Sequence, residues 1–167
     1  MTKTCSNNKS ILTPKQIYFC LITISLLILC DQFSKKILID YLQLQPEFTQ
    51  KILPFFDIVY KWNYGISFGL FSEHYQYSNN VFLALNTIII LYLVYTLYLS
   101  QNYLSQAALT LIIGGAIGNL MDRAIRGAVF DFLYFYYRDF SFPAFNLADS
   151  FISIGAAIFI FQYLREQ

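Results

Sequence analysis

GGAIGNLMDRAIRGAVFDF (residues 114–132) and FNLADS (residues 145–150) decide how this chain is organised. Both stretches set polar residues at a boundary of an apolar segment. In the first, four polar residues fall at offsets i, i+3, i+4 and i+7, which share one face of a helix. The second repeats those offsets at the start of the next apolar segment. The residues concerned are Asn119, Asp122, Arg123 and Arg126, then Asn146, Asp149, Ser150 and Ser153.

Asp131 lies between these two sets, in AVFDFLYF, with no basic residue within four positions on either side. Taking a carboxylate out of water is costly. Ionisable residues near a membrane interior are therefore candidates for function.

The composition of the chain is that of a membrane protein. Its 167 residues are 57% apolar and 13% charged, against about 25% charged residues in soluble domains. Four apolar runs approach the roughly 20 residues that cross a bilayer, which predicts an all-α membrane protein with a single domain over residues 1–167. The predicted spans are 14–34, 81–100, 104–121 and 145–164, and the predicted outer loops are 35–80 and 125–144.

Thr13 and Pro14 predict the start of the first span, as N-cap and first helical residue. Lysines at 3, 9 and 15 also resemble the basic start of a signal peptide, but no small-residue cleavage pattern precedes DQFSKK, so we expect the span to be retained. These lysines predict a cytoplasmic N-terminus, and four crossings return the C-terminus to that side. The charge asymmetry is incomplete, because Lys35, Lys36, Arg126 and Arg138 then lie outside.

The outer loops differ in character. FDIVYKWNYGISFGLF (residues 56–71) mixes β-branched and aromatic residues around a turn signal at Asn63–Gly65, which predicts a small β-rich extracytoplasmic subdomain between helices 1 and 2. Tyr60, Trp62 and Tyr64 suit the headgroup level, and a simple interfacial plug is the alternative. The second loop, LYFYYRDFSFP (residues 133–143), predicts an interfacial segment lying against the membrane surface.

The sequence argues against several common kinds of catalytic or binding site. With His74 as the only histidine, a two-histidine zinc motif is impossible. The three cysteines, Cys5, Cys20 and Cys30, show no metal or redox spacing and predict no disulfide framework. Ser34 and Lys35 are not expected to form a catalytic serine–lysine pair, because adjacent residues on a helix point in different directions. The net charge of +1 gives no case for a nucleic-acid partner. The remaining candidate for a catalytic site is a pair of carboxylates.

Two of the acids have counter-charges close in sequence. Asp31 has Lys35 at i+4, which predicts an ordinary helix-end ion pair. Asp122 is followed by Arg123 and has Arg126 at i+4. Neither acid is therefore expected to hold a proton near neutral pH.

Asp131 and Asp149 have no such neighbour. Two acids brought together without a counter-charge share a proton, and can then act as base and acid on a water molecule. Spacing leaves open whether they meet or instead cap helices and join spans. Another alternative is a non-enzymatic four-span transporter or assembly subunit that uses its acids as a proton relay, with at least one acid near the middle of a span.

Beyond its N-terminal residues, the chain resembles the bacterial lipoprotein signal peptidases, also called type II signal peptidases. The resemblance rests on several motifs in order: DQFSK at 31–35, NYG at 63–65, GGAIGNLMDR at 114–123, RGAVFDF at 126–132 and FNLAD at 145–149. The family has small residues after the N-x-G turn, where this chain has Ile66 and Ser67. That departure concerns the packing of the outer loop and not the acids.

The resemblance implies a membrane-embedded aspartic endopeptidase with Asp131 and Asp149 as its catalytic dyad. Its substrate would be a diacylglyceryl-modified prolipoprotein, cut before the lipidated cysteine near the outer face of the bacterial cytoplasmic (inner) membrane. We expect a monomer in contact with membrane lipid, inhibited by globomycin-type peptides, without metal or cofactor. The residues implied to bind substrate or inhibitor or to shape the site are Asp31, Lys35, Asn63, Gly65, Asn119, Asp122, Arg123 and Asn146.

Overall fold

The computed structural model describes residues 12–44, 49–65 and 75–165, with residues 75–78 described in backbone only. This part of the chain holds four helices that are long and apolar enough to cross a membrane. The sequence positions Lys3, Lys9, Cys5, Ile66, Ser67 and His74 lie outside it. The helices are α1 (Pro14–Leu42), α2 (Tyr75–Leu99), α3 (Tyr103–Arg126) and α4 (Leu147–Arg165).

Local signals fix the helix ends. Thr13 caps α1 and forms a capping box with Gln16, and Pro14 follows at the first helical position, which confirms the predicted start. Both ends of α3 also carry recognisable residues. Asn102 caps its start, and Gly127 ends it with φ +78. A left-handed residue at this point favours glycine, which has no Cβ to clash.

Three helices extend beyond the predicted spans. α1 continues to Leu42 rather than ending near residue 34, so Lys35 lies inside a helix and not in a loop. α2 already begins at Tyr75, and α3 runs on to Arg126. Lys35 does not stop α1, because Asp122 of α3 compensates its buried charge.

α3 lies at the centre of the bundle and packs against α1, α2 and α4. Two of its glycines permit this close packing. A Cβ on Gly115 would lie 2.3 Å from the Ala148 carbonyl oxygen of α4, and one on Gly118 would lie 2.7 Å from the Asp31 carboxylate of α1. The glycines of GGAIG therefore allow close contact between helices.

A small antiparallel sheet covers one end of the bundle, here called the sheet end. Its described strands are β1 (Thr49–Leu53), β2 (Phe56–Asn63), β3 (Val129–Tyr137) and β4 (Phe140–Ser141), in the order β1-β2-β3-β4. The predicted fold class, four membrane helices with a small β subdomain after helix 1, is confirmed.

The second connector, predicted from the sequence as an interfacial segment, consists largely of strands. It forms β3, which pairs with β2 from the first connector. Phe130 and Phe132 of β3 are buried with Leu42 of α1. Tyr60 and Trp62 pack on Phe130, each with ring centroids 5.2 Å away, so these half-buried rings contribute to the core beneath the sheet.

Candidate active site

Asp131 lies on β3 at the sheet end and is 2% exposed. One of its carboxylate oxygens accepts a hydrogen bond from the Asn146 side-chain amide at 2.8 Å, and the other accepts from the Asn63 amide at 3.0 Å. Lys61 stands opposite Asp131 in the strand register, but no ion pair joins them. Two neutral amides from different connectors therefore hold this acid.

Asp149 lies in the first turn of α4. Its carboxylate accepts from the Asn119 side-chain amide at 2.8 Å and from the Asn146 backbone N–H at 3.1 Å. In return, the Asn146 side-chain oxygen accepts from the Asp149 N–H at 3.0 Å. This reciprocal pattern caps α4, and the positive end of the helix stabilises a negative charge there.

Asn146 joins the two acids, because its side-chain amide donates to Asp131 while its backbone N–H donates to Asp149. Burial, followed by the charge of Asp149, raises the pKa of Asp131 from 3.8 to about 6, against the opposing hydrogen bonds from Asn63 and Asn146. The pair can therefore hold a shared proton close to neutral pH. Among described residues, neither acid forms an ion pair.

A second polar group lies behind the dyad, inside the bundle. The Lys35 ammonium is completely buried and contacts Asp31 at 2.8 Å and Asp122 at 2.7 Å. It also donates to the Asn119 side-chain oxygen at 3.1 Å. The sequence predicted an ordinary helix-end pair between Asp31 and Lys35. The pair forms, but between α1 residues that are fully buried against α3.

Asp122 is neutralised as the sequence predicted, by an ion pair with Arg126 as well as by Lys35. Its second oxygen also accepts the Phe130 backbone N–H at 3.3 Å, which ties the start of β3 to α3. Asp31 accepts the Ala148 N–H of α4 at 3.0 Å. These acids link elements, while Asp131 and Asp149 remain without a cationic partner in the described chain.

The Asn63–Gly65 turn positions one ligand of Asp131. The Asn63 side-chain oxygen accepts the Gly65 N–H at 2.8 Å, which directs its amide nitrogen toward Asp131. Gly65 has φ +77, and a Cβ there would lie 2.7 Å from the Phe82 ring. The predicted sharp bend is confirmed at Gly65, and this position excludes other residues for both reasons.

Arg123 is the remaining predicted site residue, in the last turn of α3 and 9% exposed. Its guanidinium lies over the Phe82 ring at 4.9 Å and interacts electrostatically with Asp131 and Asp149. Asn119 and Asn146 already use their amides on the two acids. Arg123 alone of these three keeps donors that no described residue engages, its Nε and Nη1.

Three residues of this region were not singled out from the sequence. Gln32 donates to Asp31, Asp122 and the Gly118 carbonyl, each at 3.1 Å. Phe82 lies between Arg123 and Gly65, and Asn79 donates to the Arg123 carbonyl. An uncharged polar residue inside an apolar run was a usable signal for Gln32, whereas Phe82 is one of many aromatic residues and carried none.

The described residues offer no cluster of three or more histidine, cysteine, aspartate or glutamate side chains that could hold a metal ion. The dyad itself offers two carboxyl groups that can transfer protons, and three asparagines position them: Asn63, Asn119 and Asn146.

Comparison with known proteins identifies the family of the chain. A sequence-family model described as "Signal peptidase (SPase) II" matches residues 23–165. Proteins described as "Lipoprotein signal peptidase" from Rickettsia bellii (strain OSU 85-389) and Rickettsia prowazekii (strain Madrid E) are 53% and 50% identical over 137 residues, which is 82% of this chain. The match covers 70% and 71% of those proteins.

Solved structures share the fold. One described as "Bacterial membrane enzyme structure by the in meso method at 1.9 A resolution" gives a TM-score of 0.76 at 28% identity, covering 90% of this chain and 96% of that one. A similarly described structure at 2.3 Å gives 0.74 at 28% identity, covering 90% of each chain. The family match, the relatives and the shared architecture lead to one conclusion: this chain belongs to the signal peptidase II family.

Proposed function

We propose that this protein is an aspartic endopeptidase that removes the signal peptide from diacylglyceryl-modified prolipoproteins, cutting just before the lipidated cysteine. The observation that carries the proposal is the joining of Asp131 and Asp149 through Asn146, with no ion pair on either acid in the described chain. Family membership and the relatives' name support a signal peptidase and not the proton-relay alternative.

The geometry suggests distinct roles for the two acids. Asp149, held by an N–H group at the positive end of α4, is the ionised member and takes a proton from the attacking water. Asp131, whose pKa is raised to about 6, carries the shared proton and donates it to the carbonyl oxygen of the scissile bond. When the tetrahedral intermediate collapses, the C–N bond breaks and the proton on Asp149 passes to the departing amine. One hydroxyl proton of the intermediate returns to Asp131 as the carbonyl re-forms, which restores the starting state of the dyad.

The placement of the dyad suits a substrate that arrives from within the bilayer. The described surfaces of α1, α2 and α4 are rich in exposed apolar side chains, such as Phe19 at 71%, Ile88 at 62% and Ile160 at 58%. The acids lie at the sheet end, where the helices meet the sheet. A lipid-anchored precursor moving sideways could therefore present its scissile bond at that depth, while the sheet limits access of water.

The same proposal includes the orientation of the protein in the membrane and the residues that bind substrate. We place both termini in the cytoplasm and the sheet end near the outer face of the bacterial inner membrane, in a monomeric enzyme surrounded by lipid. Asn63, Gly65 and Arg123 are proposed to contact substrate or a globomycin-type inhibitor, and Asp31, Lys35 and Asp122 to hold the frame around it. Asn119 and Asn146 orient the acids.

The test is cleavage of a lipidated precursor by the purified protein in detergent. We expect Asp131→Asn and Asp149→Asn each to lower the turnover rate at least about a thousand-fold, because each removes an acid–base partner. Asp139→Asn, at an exposed acid in the turn between β3 and β4, is the matched control and should retain full activity. Substantial cleavage by either dyad variant, with folding unchanged, would refute the proposed chemistry.

A further inference from the structure

A group of buried polar atoms at the sheet end has no partner among the described residues. It consists of Nε and Nη1 of Arg123 and the side-chain oxygen of Asn79. Buried donors and acceptors are almost always paired in native proteins, because leaving them unpaired is costly. Here two donors and one acceptor remain open on two neighbouring side chains, close to the dyad.

α2 brings these two residues into contact. The Asn79 amide nitrogen donates to the Arg123 backbone carbonyl at 3.2 Å. Only a donor can face a carbonyl, so this contact fixes the amide orientation and leaves the Asn79 oxygen as the open acceptor. One turn further along α2, Phe82 stacks on the Arg123 guanidinium at 4.9 Å. Asn79 and Phe82 therefore contact the same residue of α3, Asn79 at its backbone and Phe82 at its side chain.

The open atoms select the class of ligand. A phosphate or carboxylate would satisfy the arginine donors but would place negative charge against the Asn79 oxygen, which can only accept. A peptide group offers both a carbonyl acceptor and an N–H donor, and an extended segment in a membrane needs partners for both. Arg123 also lies within electrostatic range of Asp131 and Asp149, where a scissile segment would run.

We propose that Asn79 and Arg123 together form a subsite for the substrate backbone beside the scissile bond. Asn79 accepts an N–H of the signal-peptide segment, and Arg123 donates to a carbonyl of the same segment. This inference rests on the proposed function and adds Asn79, a residue outside the sequence motifs, as a substrate-binding residue.

The experiment uses synthetic lipidated precursors in which backbone amides before the cysteine are replaced, one at a time, by esters that lack the N–H. Wild type and Asn79→Ala are compared by KM and kcat. We expect one ester position to raise the wild-type KM about five-fold. The same ester should cause no further rise in Asn79→Ala, because the acceptor is already gone. A merely structural role for Asn79 would not produce this coupling.

Asn80→Ala, the exposed neighbouring asparagine, is the matched control and should respond to every ester as wild type does. If Asn79→Ala lowers the melting temperature, Asn79→Leu replaces it, since leucine keeps the bulk without the acceptor. Ester effects of equal size in wild type and the Asn79 variant at every position would overturn the subsite while leaving the peptidase intact. Absence of cleavage by the wild-type enzyme would overturn both proposals.

Discussion

At the scale of single residues, Asn146 has the largest number of tasks. It caps α4, holds Asp149 through its backbone and holds Asp131 through its side chain. Its side-chain nitrogen also contacts the Asn119 oxygen at 3.2 Å and the Phe130 carbonyl at 3.3 Å. A helix cap and the connection within the proposed catalytic pair thus coincide in one residue.

Replacing Asn146 separates these tasks. We expect Asn146→Ala to lose about 1 kcal/mol of stability through the missing cap and about a hundred-fold in turnover, because Asp131 loses a ligand. Asn102→Ala is the control, since Asn102 caps α3 at the opposite end by accepting the Leu104 N–H at 2.8 Å. Melting temperature and precursor cleavage measure the two effects. Equal activity of both variants would show that Asn146 serves only as a cap.

We expect Asp131 to make the free energy of unfolding depend on pH in an unusual direction. Its pKa rises from 3.8 to about 6 on folding, so in this window the folded state binds more protons than the unfolded state. The free energy of unfolding therefore falls as pH rises through the window, by up to about 3 kcal/mol. Asp131→Asn removes this loss and should melt higher than wild type near pH 7, but not near pH 4. Parallel melting curves across this range would contradict it.

At the scale of elements, α1 matters because it carries a buried cation. Lys35 compensates two acids on two helices, so Lys35→Met leaves Asp31 and Asp122 buried with one fewer positive charge. We expect a loss of about 3–5 kcal/mol, seen as a large drop in melting temperature and poor recovery from the membrane. The exposed neighbour Lys36→Met should be near neutral. A small, equal effect of both substitutions would mean that the buried charges are better solvated than the contacts indicate.

Some of the helices and strands could be predicted from the sequence, and others could not. The caps at Thr13 and Pro14, four apolar spans and the bend at Gly65 follow from local rules, and the structure confirms them. The continuation of α1 past Lys35 depends on Asp122, far along the chain, and no local pattern reveals such a partner. β3 was missed for the same reason, since pairing with β2 decides its conformation.

The candidate site also has features that the sequence could predict and features that it could not. Missing counter-charges near Asp131 and Asp149 are visible in the sequence and selected the pair, whose catalytic role stays a prediction. The asparagine that joins them, and the Asn79 and Phe82 contacts to Arg123, depend on which helix faces which. These contacts are long-range, so spacing could not supply them.

At the scale of the whole molecule, the four helices and the sheet make the protein asymmetric across a membrane. The proposed orientation predicts that Ser141→Cys, on exposed β4, reacts with a membrane-impermeant thiol reagent from the outside of spheroplasts. Gln101→Cys, exposed in the link between α2 and α3, should react only after lysis. Both are made with Cys5, Cys20 and Cys30 replaced by alanine. The reverse labelling pattern would invert the topology.

The pairing of β2 with β3 has a consequence for biogenesis. The first half of the chain supplies Asn63 and Lys35, and the second half supplies both acids, so neither half holds a complete centre. A chain emerging from the ribosome lacks Asp149 and its cap until α4 is made. With the dyad as the proposed catalytic centre, cleavage therefore requires α4 to be in place, and we expect a chain translated only as far as β4 to cleave nothing.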